Sequence, residues 1–183
     1  MTAIGDFCFG KRYLDAHVAK IEQSEEITQL MFEWAKKPKN IFFFCGNVGN
    51  GKTYFAAAWY NLLKEQKKNV RVFTENQLFT HLQAFFSRGE DAEYELKRLC
   101  ECDYMILDDM GSSKASDWRN DVLLNLVNFR FNDSLPTLIT SNLTKNDMVK
   151  GQIYHPRFIS RLFNPENVIV EVNGPDRRQE NSL

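Results

Sequence analysis

No stretch of this chain is apolar over the roughly eighteen residues that a membrane-spanning helix requires, so the sequence predicts no membrane association through such a span. Its first residues, Met1-Thr2-Ala3-Ile4-Gly5-Asp6-Phe7, lack the basic start and apolar centre of a secretory signal, and a cytoplasmic location is the expectation. The four cysteines, Cys8, Cys45, Cys100 and Cys102, show no paired C-x-x-C spacing, which argues against a zinc site and for reduced structural thiols. An excess of either charge is also missing: 23 basic against 24 acidic residues leave a formal net charge of -1. Any contact with nucleic acid must then come from a local basic patch or from an assembly that concentrates one. There is no internal repeat and no low-complexity block.

What the chain does have is material for one substantial core, with 183 residues, 43% of them hydrophobic, and 15 phenylalanines. Helical periodicity alternates with short β-rich runs, the pattern of a parallel α/β sheet. Strands are predicted at 40–45, 69–73, 103–107, 136–140 and 167–172. Helices are predicted at 17–36, 52–66, 75–87, 91–101, 116–133 and 155–163, with a short one near 144–150 that Thr144 and Asp147 cap. Two helices thus fall between the second and third strands, where one would suffice.

The run Gly46-Asn47-Val48-Gly49-Asn50-Gly51-Lys52-Thr53 fits G-x-x-x-x-G-K-[ST] and follows the apolar Ile41-Phe42-Phe43-Phe44-Cys45. Strand, glycine-rich loop and helix start in this order can wrap a polyphosphate, because the glycines permit the turn and successive N–H groups converge on anionic oxygens. Lys52 is then placed for the β- and γ-phosphates, and Thr53 for a magnesium ion. A second apolar strand, Tyr104-Met105-Ile106-Leu107, ends in Asp108-Asp109. An acid at the end of the strand beside the loop orients magnesium, the role that fits Asp108, and Asp109 is placed to activate a water. Taken alone, the pair could equally open a turn.

Asn142 closes Thr140-Ser141-Asn142 at the end of the next strand, on the rim where parallel sheets collect ligands. Its neutral amide could bond a γ-phosphate or the attacking water. Arg157 and Arg161 lie four residues apart on one helical face. Either a solvated basic face or an arginine delivered to a neighbour's phosphates accounts for them.

In this order, Gly46 to Thr53, Ile106-Leu107-Asp108-Asp109-Met110-Gly111, Asn128-Phe129-Arg130-Phe131, Pro136 to Leu143 and Ile159-Ser160-Arg161-Leu162 resemble the AAA+ ATPases of the DnaC/DnaI helicase-loader and IstB transposition-helper clade. The likeness covers roughly residues 40 to 178. It implies a P-loop three-layer sandwich with a five-stranded parallel sheet and no substantial C-terminal lid. Residues 1–39 are expected to form a helical lead-in and 40–183 the ATPase core. It implies ATP and Mg2+ as cofactors, with Lys52 and Thr53 on the nucleotide, Asp108 on the metal, Asp109 as hydrolytic acid and Asn142 as sensor. Arg161 becomes an intersubunit finger, with Arg157 its competitor, and Arg178 of the late G-x-x-x-R element approaches the nucleotide.

The resemblance further implies a nucleotide-dependent homo-oligomer that acts on single-stranded DNA or a replicative helicase. The extra helices, residues 75 to 101, would touch DNA through Phe79, Phe85, Phe86, Arg88, Lys97 and Arg98, unless the phenylalanines are core. Fewer than forty residues precede the first strand, so the separate helicase-gripping domain usual in loaders is not expected here. A transposase-recruiting helper is the alternative, a nucleotide-switched scaffold another, and a small-molecule kinase a remoter one.

Overall fold

The computed structural model describes residues 9–112 and 116–172. Five strands, β1 (Ile41–Gly46), β2 (Val70–Thr74), β3 (Tyr104–Met110), β4 (Thr137–Ser141) and β5 (Val168–Val172), form one sheet in the order β2-β3-β4-β1-β5. All four pairings are parallel. Among the described residues seven α-helices accompany them: α1 (Glu25–Lys36), α2 (Lys52–Glu65), α3 (Glu75–Ser87), α4 (Ala92–Glu101), α5 (Asp117–Asn132), α6 (Lys145–Lys150) and α7 (Pro156–Leu162).

The central strand shows why the sheet is covered on both faces. Successive side chains of a strand point to opposite sides, and every residue of β1 is buried. Phe42 and Phe44 join the core built with α1 and α2, whereas Ile41, Phe43 and Cys45 join the one built with α3, α4, α5 and α7. A continuous apolar run is what a strand with two dry faces needs, and a three-layer sandwich results. Burial raises the Cys45 and Cys100 thiols to about 12 and about 11, so both stay protonated and inert at neutral pH.

Arg130 is fully buried on α5. Its guanidinium donates to the carbonyls of Cys100 (3.0 Å), Cys102 (2.7 Å) and Pro136 (2.8 Å) and to the Thr137 hydroxyl (2.7 Å). It thereby satisfies the carbonyls at the end of α4 and ties that end to β4, a favourable place for a cation at a helix C-terminus.

Three expectations change. The helix foreseen at 17–36 is split: Val18–Lys20 is a single 3-10 turn whose N-terminus the His17 ring caps, and α1 begins only at Glu25 behind its Ser24 cap. Polar side chains that satisfy helix N–H groups stop the helix from extending through them. β3 runs on to Met110 instead of ending at 107. Phe79 is fully buried, with the Trp118 ring 5.6 Å and the Arg119 guanidinium 4.8 Å from its ring centre, so it belongs to the core and not to a DNA-facing surface. The Thr144–Asp147 capping box forms as the spacing predicts.

Candidate functional site

The loop between β1 and α2 is fixed by contacts that only particular residues permit. Gly46 has φ +121°, and a Cβ there would lie 2.0 Å from the Val172 carbonyl oxygen. Gly51 sits at φ +79° as the N-cap of α2 and so offers no side chain to its first turn. Every other α-helix described has a side-chain cap. The positive end of α2 is therefore left for an anion. Asn50, 2% exposed, pins the loop from beneath by donating to the carbonyls of Asn47 (3.1 Å) and Val172 (3.0 Å). Lys52 is also buried, and its ammonium donates to the Gly46 (2.8 Å) and Asn47 (2.5 Å) carbonyls.

In the sheet β3 does not lie beside β1, because β4 is inserted between them. Asp108 nevertheless meets the loop, and β4 supplies the link. The Asp108 carboxylate accepts from the Thr140 hydroxyl at 2.6 Å and from the Thr53 hydroxyl at 3.4 Å. Burial pushes the Asp108 carboxyl above its ordinary value; the Thr140 and Thr53 hydroxyls pull it back, and Asp109 adds to the rise.

Adjacent residues of a regular strand point to opposite faces, which would separate Asp108 from Asp109. A bulge prevents this. Leu107 pairs with Ile139 and Met110 with Ser141, so Asp108 and Asp109 together oppose Thr140. Asp109 adopts φ +58°, its N–H donates to the Thr140 hydroxyl (3.0 Å), and its carboxylate accepts from the Asn142 amide at 2.9 Å. Both carboxylates consequently line one cleft of about 920 Å³ together with Gly49, Asn50, Gly51, Lys52, Thr53 and Asn142.

The donors suit a nucleoside triphosphate with a hard divalent cation. Near Thr53 and Asp108 the groups are a hydroxyl and a carboxylate, oxygen ligands of the kind Mg2+ takes. A glycine-permitted loop, an uncapped helix and a buried ammonium supply the anion side.

The opposite wall of the cleft comes from the lead-in, through Arg12, Tyr13, Lys20, Ile21, Glu22 and Gln23. Gln23 donates to the Asn50 carbonyl at 2.6 Å, strapping this segment across the loop. Sequence reasoning missed these residues, since nothing in their local pattern marks them. Thr140 was visible beside Asn142, but its bridging role depends on the bulge.

The arginines lie elsewhere. Arg161 is not among the residues lining this cleft. Its Nε donates to Asn128 at 3.1 Å, and its guanidinium sits 5.2 Å from the Phe131 ring centre. Arg157 is exposed on the same helix. Arg178 lies outside the described residues.

Residues 13–175 match the model of the IstB-like ATP-binding proteins. The chain belongs to that family. Over 89 residues it is 34% identical to the uncharacterized protein YdaV of Escherichia coli K12, which spans 49% of this chain and 36% of YdaV. To the replicative helicase loader DnaC of the same strain it is 27% identical over 110 residues, 60% of this chain and 45% of DnaC. The chain therefore spans less than half the length of these curated relatives. In fold it is similar to the replication initiator DnaA bound to AMPPCP and single-stranded DNA, with a TM-score of 0.77 at 16% identity over 91% of this chain and 51% of that one. The architecture of this IstB-like chain is that of an AAA+ P-loop core. Among the described residues no helix is long and apolar enough to cross a membrane.

Proposed function

We propose that this chain is an ATPase of the helicase-loader type, which assembles on binding ATP and Mg2+ and acts in the cytoplasm on single-stranded DNA with a replicative helicase. The observation that carries the hydrolytic part is the bulge at Asp108-Asp109, which turns two neighbouring carboxylates into one cleft and so supports separate tasks for them. Bound ATP supplies the phosphoanhydride to be cleaved. Lys52 exchanges its loop carbonyls for phosphate oxygens, and Thr53 and Asp108 hold the metal. Asp109, exposed enough to meet water and oriented by Asn142, aligns the attacking water and takes its proton.

Arg161 is the finger for a neighbouring site. Its anchorage to Asn128 and Phe131, outside its own cleft, supports this role. Arg178 is proposed as a further nucleotide-binding residue. Single-stranded DNA meets the turn between α3 and α4. Phe86 (67% exposed) and Tyr94 (61% exposed) offer stacking faces there. Arg88, Arg98 and Lys97 are paired with Glu90, Glu95 and Glu101 and so contribute less charge than their number suggests. The loader relatives favour a helicase partner, while the family match keeps a transposase as the second reading. Capture of one or the other by nucleotide-locked protein in its own host extract decides between them.

Two variants test the site. Lys52→Ala is expected to lose ATP binding. Asp109→Asn should bind normally and turn over at least about tenfold more slowly, about 1.4 kcal/mol in barrier. Unchanged phosphate release by Asp109→Asn would remove it from the reaction.

A further inference from the structure

At the start of α3 lies a buried carboxylate that is not among the residues lining the cleft. Glu75 is the first residue of α3, directly after its Thr74 cap, and is 3% exposed. Its Oε2 accepts from the Gly111 N–H at 2.7 Å and from the Tyr154 hydroxyl at 3.3 Å. Gly111 follows Asp109 by two residues, and both have positive φ, +93° and +58°. A non-glycine residue in that region persists only where its surroundings over-determine it.

Side chains from more than one element hold this turn. Thr140 accepts from the Asp109 N–H, Ser141 donates to the Met110 carbonyl at 2.7 Å, and Glu75 takes the Gly111 N–H. The first two come from β4, whereas Glu75 comes from the helix that leads to the exposed α3–α4 turn. Tyr154 adds a third element, since it lies just ahead of α7 and its arginines. Burial first, and then the Glu75 charge, keep its phenol protonated, so it remains a donor.

We infer that Glu75 is a positioning residue for the hydrolytic carboxylate: by holding the Asp109–Gly111 turn it sets where Asp109 points, and it makes turnover depend on the seating of α3. This rests on the hydrolytic reading of Asp109 given above. A displacement of about 1 Å in a reacting group can cost about a hundredfold in rate. One methylene of reach at Glu75 is a change on that scale.

Two conservative variants of the full chain separate reach from charge. Glu75→Asp keeps the charge and suits a helix start but shortens the reach; Glu75→Gln keeps the reach and an acceptor oxygen but loses the charge. Binding of a fluorescent ATP analogue, the thermal midpoint and kcat at saturating ATP are measured for each. Both variants are expected to bind the analogue as the wild type does and to stay folded at the assay temperature, Glu75→Asp with a lower thermal midpoint because its shorter reach leaves the Gly111 and Tyr154 donors unmet in a buried site. Measured well below both midpoints, the kcat of Glu75→Asp should fall about tenfold, while Glu75→Gln stays within about threefold of wild type. Wild-type kcat in Glu75→Asp, an equal loss in Glu75→Gln, or a loss that tracks affinity would overturn the assignment. A wild-type protein that binds the analogue yet releases no phosphate would instead sink the hydrolytic reading, and the role of Glu75 with it.

Discussion

Asp108 is held under opposing demands. Its carboxylate is 4% exposed and its ordinary value is raised by burial, so ionising it costs folding free energy that the Thr140 and Thr53 hydroxyls only partly offset. Because the folded-state value lies above the unfolded one, the folded protein holds this proton more tightly, and the benefit fades as pH rises through the folded value. Asp108→Asn is therefore expected to raise the melting temperature of nucleotide-free protein at pH 7, with a gain that shrinks as pH falls toward the carboxylate range. Thermal unfolding across that range checks the sign, and the same variant should lose Mg2+-dependent turnover. A residue that weakens the empty fold while serving the loaded site is a common stability–activity compromise.

Among the elements, the α3–α4 pair shows how burial sorts a sequence motif. Phenylalanines that look equivalent in the sequence part company here: Phe79 fills the core and Phe86 stands in solvent. His81 on α3 meets Glu95 on α4 at 2.9 Å, and Arg98 grips the same carboxylate at 2.8 Å, so the two helices are tied near their midpoints while the turn projects. Truncating both exposed rings, Phe86→Ala with Tyr94→Ala, should weaken binding of an oligo-dT strand by about 1–3 kcal/mol per stacked base, leaving ATP binding and thermal stability unchanged. Fluorescence anisotropy with the labelled strand measures it. Undiminished affinity would move the DNA contact to another surface.

At the scale of the whole molecule, the distance of Arg161 from its own cleft makes completeness of the site a question of assembly. Arg161→Ala is expected to bind ATP normally and to lose hydrolysis. Mixing it with Lys52→Ala subunits should restore part of the activity, since each variant supplies the half-site that the other lacks. Phosphate release over a range of mixing ratios provides the measurement; no recovery at any ratio would place the whole site within one chain. Loss of hydrolysis in Arg157→Ala, recovered on mixing with Lys52→Ala subunits, together with wild-type hydrolysis by Arg161→Ala, would exchange the roles of the two arginines.

The sequence by itself determined most of the elements and pointed to the chemistry. An unbroken apolar run marked β1 as buried on both faces, glycines spaced around Lys52 marked a phosphate loop, and Asp108-Asp109 closing an apolar strand marked its acidic partner. Such signals are local: periodicity and backbone freedom are properties of a few consecutive residues. Helix starts were less legible, because Ser24 and His17 cap separate turns where periodicity alone continues one helix. The tertiary structure decided what depends on distant pairing. It placed β4 between β1 and β3, turned two successive carboxylates toward one cleft by a single extra residue opposite Thr140, and brought the lead-in and Glu75 to the site from opposite sides. Strand order and a bulge are fixed by packing across the whole sheet, and no window of neighbouring residues contains that information.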